Sequence, residues 1–408
     1  MALEWISKDG KLILAARSVR TFSYGFLSVV LAIYLHMLGF GEILIGVILT
    51  ATLANGIIFN LVSSIFADRL GRRRMLVIYS AMMVVSSGIF FATDNFMALV
   101  VAALVGTINV TGSEVGAFLS IEQAVLPQTI KDEGRRTSIF ALYNMVGTFA
   151  MAAGVMLSGL PQYLSQTLGI DKIGSVKVLF LVYAACALVV LAIYLLLSSK
   201  IEAVNARHGL GMNLKSIAPQ SRRIITKMSS LFAIDSFAGG FVIQSIVSFW
   251  FYTRFGADLN TLSYIFTTAG ILTAISYLLA SRMASRIGLI NTMVWTHIPS
   301  NILLILVPFA PTFPVAIGLY LARMSISQMD VPTRQSYLMA VVKENERVAA
   351  AGITNTSRNV AQALSPSVVG AILGQLLVAP FVIGGALKLA YDIGLFLSFR
   401  KTKPPEEL

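Results

Sequence analysis

Asp68-Arg69-Leu70-Gly71-Arg72-Arg73-Arg74 sets five charges into seven residues, with no charged residue for about twenty positions on either side. An Arg or Asp at the centre of a bilayer costs roughly 2.5–3.5 kcal/mol even on insertion scales. The cluster is therefore expected as a short loop between two membrane spans, on the cytoplasmic side by the positive-inside bias. Composition agrees, since 56% of the residues are hydrophobic and only 12% are charged. A soluble domain carries about 25% charged residues, so the expected surroundings of this chain are a lipid bilayer.

Twelve apolar windows suffice to cross about 30 Å of hydrocarbon. They lie near residues 13–37, 43–66, 75–93, 96–125, 138–160, 176–198, 228–253, 261–281, 289–309, 314–341, 348–373 and 377–398. With the charged loop inside, 24 Lys and Arg fall on inner segments, Arg17 and Arg20 among them, and 3 on outer ones, Lys172, Lys177 and Arg254. The expected localisation is the plasma membrane, multi-pass, with both termini cytoplasmic and the first helix retained. The net charge of +12 does not point to nucleic acid, because the basic residues lie in gaps between spans rather than on one soluble face. The single Cys186 excludes an intrachain disulfide, and no metal-ligand spacing is found.

The longest polar connection, near 199–227, separates two sets of six spans. Domains are expected at 1–199 and 228–408, joined by a cytoplasmic loop at 200–227. Shifting the chain by 212 residues pairs Gln123 with Gln335, Leu126 with Leu338, Lys131 with Lys343, Asp132 with Glu344 and Arg135 with Arg347. All five pairs fall where the fourth and tenth spans reach their cytoplasmic turns, so the halves read as copies.

The segment from Ser64 to Arg74 resembles the loop 2-3 signature of the major facilitator superfamily, G-x-x-x-D-R-x-G-R-R, with Ser64 in place of the first Gly. The resemblance implies an all-α integral membrane fold of twelve helices in two pseudo-symmetric bundles. It also implies that Asp68, Arg69, Gly71, Arg72 and Arg73 latch the cytoplasmic helix ends as a gate. The plainer alternative is a basic loop that only sets topology. Departures are present: the fourth span lacks the Arg of many proton-coupled members, and the fifth keeps only Gly147, Gly154 and Gly159 of the antiporter signature.

Ionisable residues inside spans are functional candidates by default. Glu114 lies in Gly112-Ser113-Glu114-Val115-Gly116, whose G-x-x-x-G spacing reads as close helix approach; it is the first candidate for proton coupling, with Asp235 and Asp330 as others. Arg323, Asp330 and Arg334 are spaced by seven and four, which stacks them on one face of a continuous tenth helix. Glu122 matches Arg334 under the repeat, so an inner gate pairing Glu122 with Arg334 or Arg358 is expected. Asn355, Arg358, Asn359 and Gln362 form a polar strip in the eleventh span, suited with Arg323 to substrate binding or merely to packing. Lys388 and Asp392, four apart in the twelfth span, read as an ion pair snorkelling to the interface. His36, His208 and His297 read as ordinary.

No phosphate-binding loop, nucleophile and base pair, or metal cluster is found, so neither an enzyme nor a cofactor is expected. The reading is a monomeric secondary transporter of a small organic solute by alternating access, coupled to protons, with efflux preferred over uptake. Sodium is the other candidate ion, uptake of an anionic solute the alternative, and a transport-inactive sensor or assembly partner the alternative of another class.

Overall fold

The computed structural model describes residues 5–112, 116–130, 136–202, 219–342, 346–400 and 402. Its helices are α1 (Lys8–Met37), α2 (Glu42–Leu70), α3 (Arg72–Ala92), α4 (Phe96–Val105), α5 (Ala117–Val125), α6 (Arg136–Met156), α7 (Leu160–Leu168) and α8 (Lys172–Leu195). They continue as α9 (Pro219–Gly240), α10 (Gln244–Phe255), α11 (Leu259–Ile287), α12 (Leu289–Leu306), α13 (Phe313–Met324), α14 (Asp330–Val341), α15 (Arg347–Leu373) and α16 (Ala379–Phe399). The fold is all-α, because in lipid each backbone donor must be satisfied within its own segment. Starts follow local chemistry: Ser7, Asn95 and Asp171 accept from the backbone N–H three residues on, capping α1, α4 and α8.

Nine helical stretches among the described residues are long and apolar enough to cross a membrane. The three expected spans outside that set are the fourth, tenth and eleventh. The fourth is broken into α4 and α5, the tenth into α13 and α14, and the eleventh, α15, carries the polar strip. The reading of continuous fourth and tenth helices is thus corrected. In the fourth span, the Asn109 Oδ1 accepts from the Thr111 and Gly112 N–H groups at 2.9 and 3.2 Å, a side-chain turn that competes with helix. Gly112 and Gly116 hold φ of +74° and +129°, so this G-x-x-x-G ends an interruption instead of packing a helix face. In the tenth span Pro332, in the first turn of α14, lacks an N–H and would clash with the carbonyl four residues back. The helix restarts at Asp330 for that reason.

Of the repeat pairs, Gln123 lies in α5, Leu126 in the 3-10 turn after it, and Gln335 and Leu338 in α14. Lys131, Asp132, Arg135, Lys343, Glu344 and the side chain of Arg347 lie outside the described residues. Both copies thus break the same span and resume with a short half-helix.

Contacts divide the chain into two compact units. Unit 1 contains Met1–Leu210 with Gln244–Thr267, and unit 2 contains Gly211–Ile243 with Thr268–Leu408. Over Gln244–Thr267 this division differs from the sequence halves. Span seven is broken at Phe241–Ile243, and α10 packs on α1, where Ser245 and Ser248 donate to the Ser28 and Val29 carbonyls at 2.6 and 2.8 Å. The α1–α6 contact in the same unit depends on close backbones: a Cβ on Gly25 or Gly154 would strike main-chain atoms of the facing helix.

Met97, Leu196, Trp295 and Leu397 are each more than half exposed. Such outward apolar side chains suit a lipid solvent, whereas in water they would promote association.

Candidate functional site

The charged loop of the sequence is split between two helix ends. The side chains of Asp68 and Arg69 lie outside the described residues. Gly71 caps α3 with φ of +98°, and the Glu202 carboxylate, from the end of the sixth span, accepts from the Arg72 and Arg73 N–H groups at 2.6 and 3.3 Å. A carboxylate across the first N–H groups of a helix satisfies orphan donors and complements the helix dipole. The Arg73 guanidinium adds a bond to the Leu195 carbonyl. Glu202→Ala is expected to cost about 1 kcal/mol, read as a lower thermal unfolding midpoint in detergent; an unchanged midpoint would remove Glu202 as the cap.

Deeper in unit 1, α1, α5, α6 and α8 converge on Glu122. Its carboxylate accepts from the Arg20 Nη2 at 2.7 Å, the Arg20 Nη1 at 3.1 Å, the Tyr143 hydroxyl at 2.5 Å and the Tyr194 hydroxyl at 2.6 Å. Arg20 and Glu122 are both fully buried, and the Arg17 guanidinium lies 3.6 Å above the Tyr143 ring. Within unit 1 the ion-pair partner of Glu122 is Arg20. Four accepted bonds fill the hydrogen-bonding capacity of this carboxylate as it stands in unit 1.

Beside the break in the fourth span, Tyr24, Thr52, Asn55, Thr107, Asn109 and Thr111 help line a cavity of about 30 Å³, room for a water or two. Glu114 lies outside the described residues.

Unit 2 holds the main charge cluster. Asp235, on α9, accepts from the Lys388 Nζ at 2.6 Å and the Arg334 Nη1 at 3.2 Å. The same Arg334 Nη1 donates to Asp330, one turn earlier on α14, at 2.9 Å. Side-chain exposure of all four groups is below 10%. Lys388 and Asp392 thus form no surface pair, a second correction: Lys388 turns to Asp235, while Asp392 Oδ1 meets His297 Nδ1 and Oδ2 accepts from the Asn301 Nδ2, each at 2.8 Å. Both side chains are buried, Asp392 completely, and buried partners hold them better than a reach to the interface would.

The helix break also changes the tenth-span stripe. Asp330 and Arg334 keep their i, i+4 pairing, but Arg323 sits apart in the last turn of α13. That position favours a cation and the first turn of α14 favours the Asp330 anion. Arg323 is 8% exposed, its Nε makes no hydrogen bond, and among the described residues its guanidinium donates only to the Met324 sulfur, at 3.1 Å. Among the described residues no carboxylate pairs with it. Arg358, on α15, donates through Nε to the Ser236 hydroxyl at 2.9 Å and likewise has no carboxylate partner among the described residues. Asn359 and Gln362 are half-buried one and four residues further along, and Asn355 is exposed.

Sequence reasoning missed Arg17, Arg20, Glu202 and the His297–Asp392–Asn301 set. Arg17 and Arg20 were visible as two cations inside the first apolar window, though their assignment to an inner segment concealed it. The Glu202 cap joins residues 130 apart, with no local signal. His297 was the one ionisable group in its span.

The family model described as Major Facilitator Superfamily matches residues 13–366 and 230–408. The uncharacterized membrane protein YJR124C of Saccharomyces cerevisiae (strain ATCC 204508 / S288c) is 27% identical over 423 residues, covering 96% of this chain and 94% of that one. Among solved structures, the nucleoside transporter NupG superposes with a TM-score of 0.77 at 14% identity, over 97% of this chain and 100% of the other. The D-xylose-proton symporter gives 0.71 at 13%, over 97% of each.

Proposed function

We propose that this chain, a multi-pass secondary transporter that belongs to the Major Facilitator Superfamily, moves a small organic anion by alternating access under a proton gradient. One observation carries the anion: in unit 2, Arg323 is buried without a carboxylate partner among the described residues, and Arg358 stands beside the same cluster bonded only to a hydroxyl. Asp235 and Asp330 are already engaged by Lys388 and Arg334, and Asp392 by His297 and Asn301. A buried guanidinium without a counter-charge is expensive. A carboxylate or phosphate on the solute would supply that charge in the bidentate geometry Arg favours. This surplus favours the anionic solute over the wider class of organic solutes, and over efflux of a neutral one.

Asn355, Asn359 and Gln362 on α15 would orient the rest of the solute by hydrogen bonds. Asp68, Arg69, Gly71, Arg72 and Arg73 would act as the latch, and Glu114, Asp235 and Asp330 remain the carboxylates offered for proton coupling. The protein would act as a monomer in the plasma membrane with both termini cytoplasmic, the orientation that the basic inner segments favour.

The test is a thermal-stability screen of the purified protein against organic anions and neutral solutes, followed by flux into proteoliposomes with and without a pH gradient. Anions should raise apparent stability by RT ln(1 + c/Kd) at concentration c, increasing with the logarithm of c once it exceeds Kd. Arg323→Gln should bind them about tenfold or more weakly, since a hydrogen bond to a charged group contributes about 1.5–3 kcal/mol. Its ligand-free transition should stay at or above that of the wild type, because a lone buried charge has been removed. Equal stabilisation by neutral solutes, or indifference of Arg323→Gln to the loss, would overturn the anion assignment. Absence of flux for every stabilising solute would favour the sensor reading.

A further inference from the structure

The break in the fourth span leaves backbone without helix partners in lipid, which is tolerated only where that backbone is buried in protein or lines a cavity. Here it does both. The Ser245 N–H, at the start of α10, donates to the Val110 carbonyl at 3.2 Å, and Asn109 Oδ1 closes the turn onto Thr111 and Gly112. In the last turn of α4, the Ser86 hydroxyl donates to the Ala102 carbonyl at 2.8 Å. Among the described residues no main-chain N–H reaches the carbonyls of Thr107 and Ile108, two residues on the wall of the cavity of about 30 Å³.

Two buried side chains of α2 complete that wall. Asn55 is 3% exposed, and its Nδ2 donates to the Leu104 carbonyl at 2.5 Å. A carbonyl only accepts, so this bond fixes which end of the amide is nitrogen. The other end, Oδ1, receives no hydrogen bond among the described residues, and Asn55 lines the cavity. Thr52, 4% exposed, directs its hydroxyl proton to the Leu49 carbonyl at 2.7 Å, and Thr111 directs its own to Asn109 Oδ1 at 3.2 Å. Both hydroxyl oxygens keep lone pairs as acceptors. Among the described residues no acid or base lines the cavity. Arg20, 4.4 Å from the ring of the lining residue Phe118, is neutralised by Glu122.

We propose that this cavity is a sodium-binding site of unit 1, with Asn55 Oδ1, the Thr52 and Thr111 hydroxyls and the Thr107 and Ile108 carbonyls as its ligand set. Hard oxygen donors suit an alkali or alkaline-earth cation rather than a transition metal. Mg2+ and Ca2+ are bound through carboxylates, so a wall of neutral oxygens selects a monovalent ion. Room for a water or two fits a small ion that has shed most of its hydration shell. The C-terminal end of α4 is the negative end of its dipole and adds to the attraction. Unwound carbonyls beside the end of a half-helix hold Na+ in the same manner elsewhere among transporters. The site goes beyond the proton-coupled reading and stands whichever ion drives flux.

The experiment follows thermal unfolding of the full-length protein in nanodiscs in sodium, potassium and choline chloride at equal ionic strength, with binding of radioactive Na+ measured beside it. Na+ should raise the midpoint saturably where K+ and choline do not, because a ligand that binds only the native state stabilises it. Thr52→Val, which keeps the size of the side chain, should weaken Na+ binding about tenfold or more, since even indirect partners of a metal site contribute about 10–100-fold. Asn55→Asp places a carboxylate among the ligands; it should tighten Na+ binding and admit Ca2+, to which the wild type should be indifferent. Equal stabilisation by all three salts, no bound Na+, or Na+ binding unchanged in Thr52→Val would overturn the site, the cavity then holding water only. If Asn55→Asp does not fold, Thr52→Val and the salt series decide. Na+-specific stabilisation in a protein whose flux ignores a pH gradient would end the proton-coupled reading and leave this site standing.

Discussion

Glu122→Ala should lower the free energy of unfolding by about 3–5 kcal/mol, the cost of stranding a buried charge whose partner has been removed. The loss is large because Arg20 is fully buried and the Glu122 carboxylate supplies its ion pair. Tyr143 and Tyr194 would lose the same acceptor. Arg20→Met/Glu122→Leu should recover most of the loss, because a well-packed apolar pair is often as stable as the ion pair it replaces. Denaturant unfolding of the purified single and double variants measures both. If Glu122→Ala unfolds at the wild-type midpoint, the network is not what holds α1, α5, α6 and α8 together. If the double variant is as unstable as the single, the network has a role beyond neutralising Arg20.

The second large effect concerns Asp235, the acid shared by Lys388 and Arg334. Asp235→Ala leaves Arg334 with Asp330 but Lys388 with no carboxylate at bonding distance among the described residues. A loss of about 2–5 kcal/mol is expected, much of it the penalty of the stranded ammonium. Asp235→Ala/Lys388→Met should restore stability, and a coupling energy of at least about 1 kcal/mol should separate the double variant from the sum of the two singles. The same cycle measured by flux tells structure from transport. Recovery of stability with flux still reduced about tenfold would assign Asp235 and Lys388 to the transport cycle, whereas recovery of both would make the pair a brace.

Much of this architecture is legible in the chain because lipid is a demanding solvent. Long apolar windows separated by basic gaps leave few alternatives, and the matches between Gln123 and Gln335 or Leu126 and Leu338 reveal the repeat without coordinates. Charges inside spans are also legible as candidates, since each is costly there. Their partners are not. The spacing of Lys388 and Asp392 permitted a mutual pair, but each was 2.6–2.8 Å from a better one on another helix. The spacing of Arg323 and Asp330 implied one continuous face until Pro332 and the turn before it divided the helix. Gly112 and Gly116 have the spacing of a packing motif, and only their positive φ values distinguish a broken segment from a helix. Pairing across sequence distances of 99 to 153 residues, as in Arg334–Asp235 and Lys388–Asp235, leaves no periodic trace.

The polar seam of α16 bears on biogenesis. A segment carrying Lys388 and Asp392 at mid-helix pays roughly 2.5–3.5 kcal/mol for each on leaving the translocon for lipid unaided. Those groups find their partners on α9 and α12, which are synthesised earlier. Stable membrane integration of this late helix is therefore conditional on helices already assembled, and a defect in either earlier helix would expose it to quality control.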